Sequence, residues 1–169
     1  NTFKFTGQQN FTVGTDYLFS KGKYQLFGEA AISKSKGKAF VQGLVAHLDE
    51  RFIYSMQVRQ FDKNYHALWS NAFSEQGATN NESGVYFGTQ IIPFRKVKIH
   101  SYVDFYQFNW ITFNTTAPSD GYDLFFQTDV SFSNKLNFYV RFKNEKKEHR
   151  ISEQMKFVNE PEIIKKARI

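Results

Sequence analysis

The sequence predicts an all-β fold of antiparallel up-and-down strands that form a β-barrel or part of one. Three observations predict it: alternating apolar and polar residues, a high aromatic content, and connections that alternate between short and long. Residues 122–132 put Tyr, Leu, Phe, Thr, Val and Phe on one face and mainly polar residues on the other. The alternation resumes after "SNK", and period two over this length indicates a β-hairpin.

The composition favours strands and excludes several kinds of site. The 169 residues include 20 Phe, 9 Tyr and 2 Trp, an aromatic share of 18% that is typical of strands. Because no run of about 18 apolar residues occurs, the sequence predicts no transmembrane helix. The absence of Cys excludes disulfides, thiolate metal sites and cysteine nucleophiles.

The period-two pattern divides most of the chain into segments of strand length. Most hold about ten residues, which is enough to cross a bilayer when a strand is tilted. The predicted segments are 2–7, 11–20, 24–34, 39–48, 52–61, 85–94, 97–109, 122–132 and 136–144. No helical period competes with them before the C-terminal tail.

The connections alternate strictly between short and long. The short ones are "KGK", "DER", "RK" and "SNK", whereas residues 33–38, 62–83 and 111–121 form longer ones. In an antiparallel arrangement this alternation puts the short turns at one end and the long loops at the other. Outer-membrane barrels have this asymmetry, with short periplasmic turns and long external loops.

The charged residues follow the faces of the predicted strands. Eight polar residues fall on the face opposite the apolar one, and we predict that they face a lumen: Glu29, Arg59, Lys98, Asp104, Asp123, Gln127, Asp129 and Arg141. The apolar face includes Tyr54, Val58, Val103, Phe126 and Val130, which we expect to contact lipid. The segment 39–48 has apolar residues on both faces, so its orientation stays open.

Alternation alone fits two kinds of barrel. In a soluble, lipocalin-like ligand-binding barrel the apolar face points inward, whereas in a membrane barrel it points outward. The loop asymmetry, the segment length and the aromatic residues near segment ends favour an antiparallel up-and-down transmembrane β-barrel. The sequence therefore predicts lipid on the apolar face.

Several short motifs resemble those of a known family. The matching pieces are "SNAF", "NNESGVYFG", "PFRK", "FNW" and "APSDGY". They resemble the later part of the barrel region in Bacteroidota outer-membrane β-barrel proteins of the helix-hairpin-helix-domain-containing family. The resemblance covers residues 24–149 loosely and 64–144 well. It implies a barrel in the outer membrane of a Gram-negative bacterium and assigns no catalytic residues.

No motif of nucleotide-binding, hydrolase or metalloprotease chemistry occurs, and the four His are isolated in the sequence. We therefore expect no enzymatic activity, no cofactor and no metal site. The expected partners are outer-membrane lipid and other outer-membrane or surface proteins, with the chain acting as a passage, scaffold or subunit of a complex. Nucleic-acid passage is an alternative suggested only by the family's helix-hairpin-helix region, and the mixed charges of the predicted lumen make nucleic acid an unfavoured partner.

Two further expectations concern the organisation of the chain. Residues 1–149 are predicted to hold the strands and loops of a larger barrel, and residues 150–169 a loop leading to a further strand. Nine segments are an odd count, whereas bacterial single-chain barrels have even counts, so we expect an internal piece of a longer polypeptide. Six residues of the two longest loops are predicted to bind a partner or cover the barrel mouth: Trp69, Asn71, Phe73, Trp110, Phe113 and Pro118.

Overall fold

The computed structural model describes residues 5–67, 72–112, 115–133, 136–153 and 156–168, with side chains described except at 149–153 and 156–158. The described residues contain nine strands: β1 (Thr12–Lys21), β2 (Tyr24–Ser33), β3 (Lys38–Asp49), β4 (Phe52–Phe61), β5 (Glu82–Phe94), β6 (Val97–Phe108), β7 (Ser119–Ser133), β8 (Leu136–Glu153) and β9 (Lys156–Arg168). None of these residues belongs to a helix long and apolar enough to cross a membrane.

The nine described strands form one antiparallel sheet in chain order, from β1 to β9. This arrangement confirms the predicted all-β, up-and-down fold. The connections β1–β2, β3–β4, β5–β6 and β7–β8 are each two residues long and lie at one end. The connections 34–37, 62–81 and 109–118 lie at the other end, which we call the long-loop end. The predicted alternation of short and long connections holds through β8.

The strand register divides the side chains between two faces. The polar face carries Glu29, Arg59, Lys98, Asp104, Asp123, Asp129, Arg141 and Lys143. The apolar face carries Val13, Phe19, Ile32, Tyr54, Val58, Val85, Val103, Phe126, Val130 and Phe138. The register also orients β3, which the sequence left open, with Val41 on the polar face and Phe40 on the apolar face.

Of the five buried apolar residues in the described part of the chain, Ala46 lies on the apolar face opposite Tyr54, and the other four gather at the long-loop end of the polar face. Phe61, Tyr106 and Phe108 lie there, and Tyr65 follows β4. The ring of Tyr106 lies over Gly121, where an added Cβ would approach its hydroxyl to 2.5 Å. This small core supports the loops rather than joining the sheet to a second layer.

The predictions for the first segment and for the C-terminal tail are wrong. Residues 5–7, the described part of the segment 2–7, form no strand, and Phe5 instead packs on His66 with ring centroids 5.7 Å apart. The tail predicted as a loop over 150–169 instead contains the end of β8 and the whole of β9. Pro161 lies opposite Glu148 within β9, which has a neighbour on one side only among the described strands, and proline in a sheet is found mainly on such strands.

Candidate functional site on the polar face

A buried ion cluster joins β4, β5 and β6 on the polar face. Arg59 Nε donates to Glu82 Oε1 at 2.6 Å, and its two terminal nitrogens donate to Asp104 at 2.8 and 2.9 Å. Arg59, Glu82 and Asp104 are 3%, 0% and 4% exposed. Burying a charge is costly unless it is paired and hydrogen-bonded, and the bidentate geometry meets that requirement. The cluster is therefore an internal structure of this face and not a solvated surface.

Glycine at position 84 makes room for the Arg59 side chain. Arg59 lies directly opposite Gly84 in the register. A Cβ added at Gly84 would lie 2.5 Å from the guanidinium carbon. The absence of a side chain thus allows the guanidinium to cross β5 and reach Asp104 on β6.

The segment 72–81 covers this cluster from the long-loop end. The guanidinium of Arg59 lies 5.0 Å from the ring centroid of Phe73, and Phe73 packs edge-on against Tyr86 at 5.3 Å. The backbone N–H of Glu75 donates to both carboxylate oxygens of Glu82, at 3.1 and 3.0 Å. The loop is therefore attached to the polar face at two positions, through the ring of Phe73 and through the backbone amide of Glu75.

A row of aromatic rings continues from this loop across the strands. Tyr86 and Tyr102 have centroids 5.6 Å apart, and Tyr102 stacks on Phe125 at 4.9 Å with an 8° angle between the ring planes. The guanidinium of Arg141 lies 5.5 Å from the centroid of Phe125 and extends the row to β8. Each ring thus has a neighbour on the next strand, which stiffens this part of the face.

A second ion cluster lies beside the row, between β7 and β8. Lys143 Nζ contacts Asp123 at 2.9 Å and Glu145 at 3.0 Å, and the hydroxyl of Tyr102 donates to Asp123 at 3.1 Å. Lys147 pairs with Glu145 and, at 2.7 Å, with Glu75 of the loop. The side chain of Glu75 therefore joins the second cluster, while its backbone joins the first.

A cavity of about 430 Å³ lies beside the aromatic row, on the side of the short turns. Its polar lining includes Ser55, Gln90, His100 and Gln127. The volume is within the range of small-molecule sites, and the lining combines amide, imidazole and hydroxyl groups. The polar face thus has room for a solute as well as ion pairs.

The apolar face has the opposite exposure. On it, Val13, Phe19, Phe105, Phe138 and Val140 are between 51% and 60% exposed. In a soluble barrel the apolar side chains would be the buried ones. The described residues bury carboxylates and an arginine on one face and leave large apolar side chains uncovered on the other.

All eight predicted lumen residues share the polar face, although their surroundings differ. Arg59, Asp104 and Asp123 are buried, whereas Gln127 bonds Asp129 at 2.8 and 3.0 Å and accepts from Arg141 at 2.7 Å. Glu29 is exposed, and burial together with this carboxylate raises the pKa of Tyr65. Lys98 lies opposite Asp129 without forming an ion pair within the described part of the chain.

The predicted loop residues are only partly described. Trp69, Asn71 and Phe113 lie outside the described residues. Phe73 lies on the polar face as given above, and Pro118 is exposed just before β7. Trp110 joins the two long loops, because Lys63 Nζ lies 3.9 Å from its ring and Asn81 donates to its carbonyl at 2.9 Å.

Sequence reasoning missed Glu82, Lys143, Glu145 and Lys147 as members of the site. Glu82 precedes the predicted segment 85–94, and Glu145 and Lys147 follow the predicted segment 136–144. Extending the period-two alternation by one or two steps beyond those boundaries assigns each of them to the polar face. Lys143 lies inside the predicted segment 136–144, where the same alternation assigns it to the face of Arg141.

No three His, Cys, Asp or Glu side chains in the described ranges are arranged to hold a metal ion. The chain matches no known protein-family model, and no curated protein or solved structure is significantly similar to it.

Proposed function

We propose that this chain is a non-enzymatic part of a β-barrel in the outer membrane of a Gram-negative bacterium. Lipid covers its apolar face, and the polar face lines the interior as the wall of a passage or as a scaffold within a surface complex. The family resemblance in residues 24–149 agrees with this proposal. The observation that carries it is the exposure of the apolar face beside buried charges.

The apolar face suits lipid because of its continuity. Leu124, Phe126, Phe138, Val140 and Phe142 come from two neighbouring strands and are all between 38% and 53% exposed. Scattered apolar residues are normal on a soluble protein, but large contiguous patches are not. A bilayer would remove this patch from water without a second protein layer.

The height of the apolar face also suits a bilayer. On β7 the apolar side extends from Tyr122 to Phe132, and the ten residue-to-residue steps span about 33 Å of strand at about 3.3 Å per step. A strand tilt of about 40° reduces this to about 25 Å, the height of the apolar band of outer-membrane barrels. Asp120 and Lys146 follow at the long-loop end, where the chain would leave the lipid.

The loop contacts favour a covered mouth over a free binding loop. Phe73 and Glu75 contact residues of the polar face, so segment 72–81 lies across the interior at the long-loop end. In this proposal the segment narrows the passage on the external side. Trp110, 39% exposed at the junction of the two long loops, is the better candidate for contact with a partner protein.

The sheet needs further strands to close in lipid. β1 and β9 run in the same direction, because eight antiparallel pairs separate them, and neither has a second neighbour among the described strands. Lipid does not hydrogen-bond to open sheet edges. In our proposal both edges pair with strands that are not among these nine, whether from the same polypeptide or from another.

The two alternative functions have less support. A soluble ligand-binding barrel would place the apolar face inside, whereas the described residues bury charges on the opposite face. Nucleic-acid passage would favour a basic interior. The two ion clusters hold Arg59, Lys143 and Lys147 against five carboxylates: Glu75, Glu82, Asp104, Asp123 and Glu145.

Fractionation of the native cell tests the proposal. Outer and inner membranes would be separated by density, and the chain would be followed with an antibody through urea washing and detergent extraction. We expect it in the outer membrane, resistant to urea and released by detergent. Recovery in the soluble fraction, or release by urea alone, would contradict the proposal.

A further inference from the structure

Strands β8 and β9 place two pairs of like charges on the polar face. Arg141 lies directly opposite Arg168, and Lys143 lies directly opposite Lys166. Like charges directly opposite one another destabilise an antiparallel pair. Two such pairs in succession leave a local excess of positive charge that a bound anion would relieve.

The neighbouring strands neutralise only part of this charge. Lys143 is bound by Asp123 and Glu145, as described above. Arg141 donates through Nε to the neutral amide of Gln127, and its two terminal nitrogens have no described partner. Lys166 and Arg168 are exposed and form no ion pair with any residue that the structure describes.

The guanidinium of Arg141 is already oriented. Its carbon lies 5.5 Å from the ring centroid of Phe125 and 5.4 Å from that of Tyr139, and the 2.7 Å bond to Gln127 fixes its Nε edge. An arginine held by stacking loses little freedom when it binds an anion through its remaining donors.

We propose that Arg141, Lys166 and Arg168 form a binding site for a phosphate-bearing solute. Three cations without carboxylate partners match a dianion better than a single carboxylate, and guanidinium groups bind phosphate oxygens in a bidentate manner. The inference rests on the proposed function in one respect, because it takes the polar face as the wall of a passage along which the solute moves. Rings of Arg and Lys select anions and phosphate in such passages.

The main competing explanation is that cations on an edge strand merely prevent edge-to-edge association. That explanation gives Lys165 and Lys166 the same role, because both lie on β9. The two lysines lie on different faces of the sheet, however. Lys165 lies opposite Asn144 on the apolar face, and Lys166 lies opposite Lys143 on the polar face. Adjacent residues of equal charge thus provide a matched comparison.

The test titrates inorganic pyrophosphate into the full chain folded in detergent, at constant ionic strength. We expect wild-type binding, weakened about tenfold or more in three variants. Lys166→Gln and Arg168→Gln each lose a charge, and Arg141→Lys keeps its charge but loses the bidentate guanidinium. Lys165→Gln should bind within about twofold of wild type, since its side chain lies on the other face. Without ligand, Lys166→Gln should unfold at the same temperature or higher, because one repulsive pair is removed.

The possible results distinguish a soluble phosphate from a lipid headgroup, and they distinguish the phosphate site from the proposed passage. No pyrophosphate binding by the wild type, or an equal loss in Lys165→Gln, would overturn the site. Binding only to phosphatidylcholine vesicles that contain phosphatidic acid, and not to pyrophosphate, would also overturn it in favour of a lipid headgroup. If pyrophosphate binds with the expected selectivity but the chain is absent from the outer membrane, the site stands and the proposed passage does not.

Discussion

The two faces of the sheet differ strongly in solvent exposure, even between adjacent residues of one strand. On β6, Asp104 is 4% exposed and held by Arg59, while the next residue, Phe105, is 52% exposed. The same backbone therefore places a buried charge on one face and an exposed ring on the other. In water, the free energies of transfer favour an exposed charge and a buried ring.

The comparison teaches that the two faces are stabilised in different ways. The polar face is held by specific contacts, such as the bidentate pair and the stacked rings, so single changes there should have large local effects. The apolar face depends on the solvent around it, so changes there should depend on whether lipid is present.

Arg59→Met should cause the largest loss of stability. It leaves the carboxylates of Glu82 and Asp104 buried without their cation, and breaking a buried pair costs about 3–5 kcal/mol of unfolding free energy. Urea unfolding of the folded chain would measure the loss. The triple variant Arg59→Met/Glu82→Gln/Asp104→Asn should recover most of it. A single variant as stable as wild type would mean that the cluster is not buried.

Val103→Arg should cost about 2–4 kcal/mol in a bilayer, because it places a charge near mid-strand on the apolar face, which contacts lipid in the proposed function. The matched control is His100→Arg on the same strand, whose side chain lies on the polar face 3.8 Å from Asp129. That change should stay within about 0.5 kcal/mol. Folding into liposomes at increasing urea compares the two variants, and equal costs would remove the distinction between the faces.

Gly84→Ala should destabilise the fold by about 1–3 kcal/mol through overpacking. Its new Cβ would lie 2.5 Å from the guanidinium carbon of Arg59, which must move away from Asp104. The same substitution at Gly77, where nothing lies within 4 Å, is the control. Thermal unfolding separates the two, and equal midpoints would argue against the path of Arg59 across β5.

Phe73→Ala should have the smallest effect on unfolding, about 1 kcal/mol, because it removes one cation–π contact and one edge-on ring contact. Its clearer consequence is faster protease cleavage within segment 72–81, which loses the contacts of the Phe73 ring with the polar face and keeps those of Glu75. Phe94→Ala, at a residue that is 71% exposed, should leave that cleavage unchanged. An unaltered rate in Phe73→Ala would mean that the ring does not hold the loop.

The sequence predicted most strands and the facing of their charges, because period-two alternation is a direct consequence of strand geometry. It failed at β9, where Ile163, Ile164, Lys165 and Lys166 break the alternation and Pro161 suggests a loop. It could not predict that Arg59 binds both Glu82 and Asp104, because register across three strands determines that contact. The position of Phe73 over Arg59 depends on the path of a loop, and the sequence of a loop has no periodicity from which that path could be predicted.

Thiol labelling at the neighbouring positions Asp129 and Val130 tests directly whether the apolar face contacts lipid while the polar face contacts water. The natural chain has no Cys, so Asp129→Cys and Val130→Cys each provide a single thiol on opposite faces of β7. In native membranes we predict that a lipid-phase maleimide labels position 130 and not 129, and that a water-soluble maleimide labels 129 and not 130. Lipid-phase labelling at 129 but not at 130 would contradict the account.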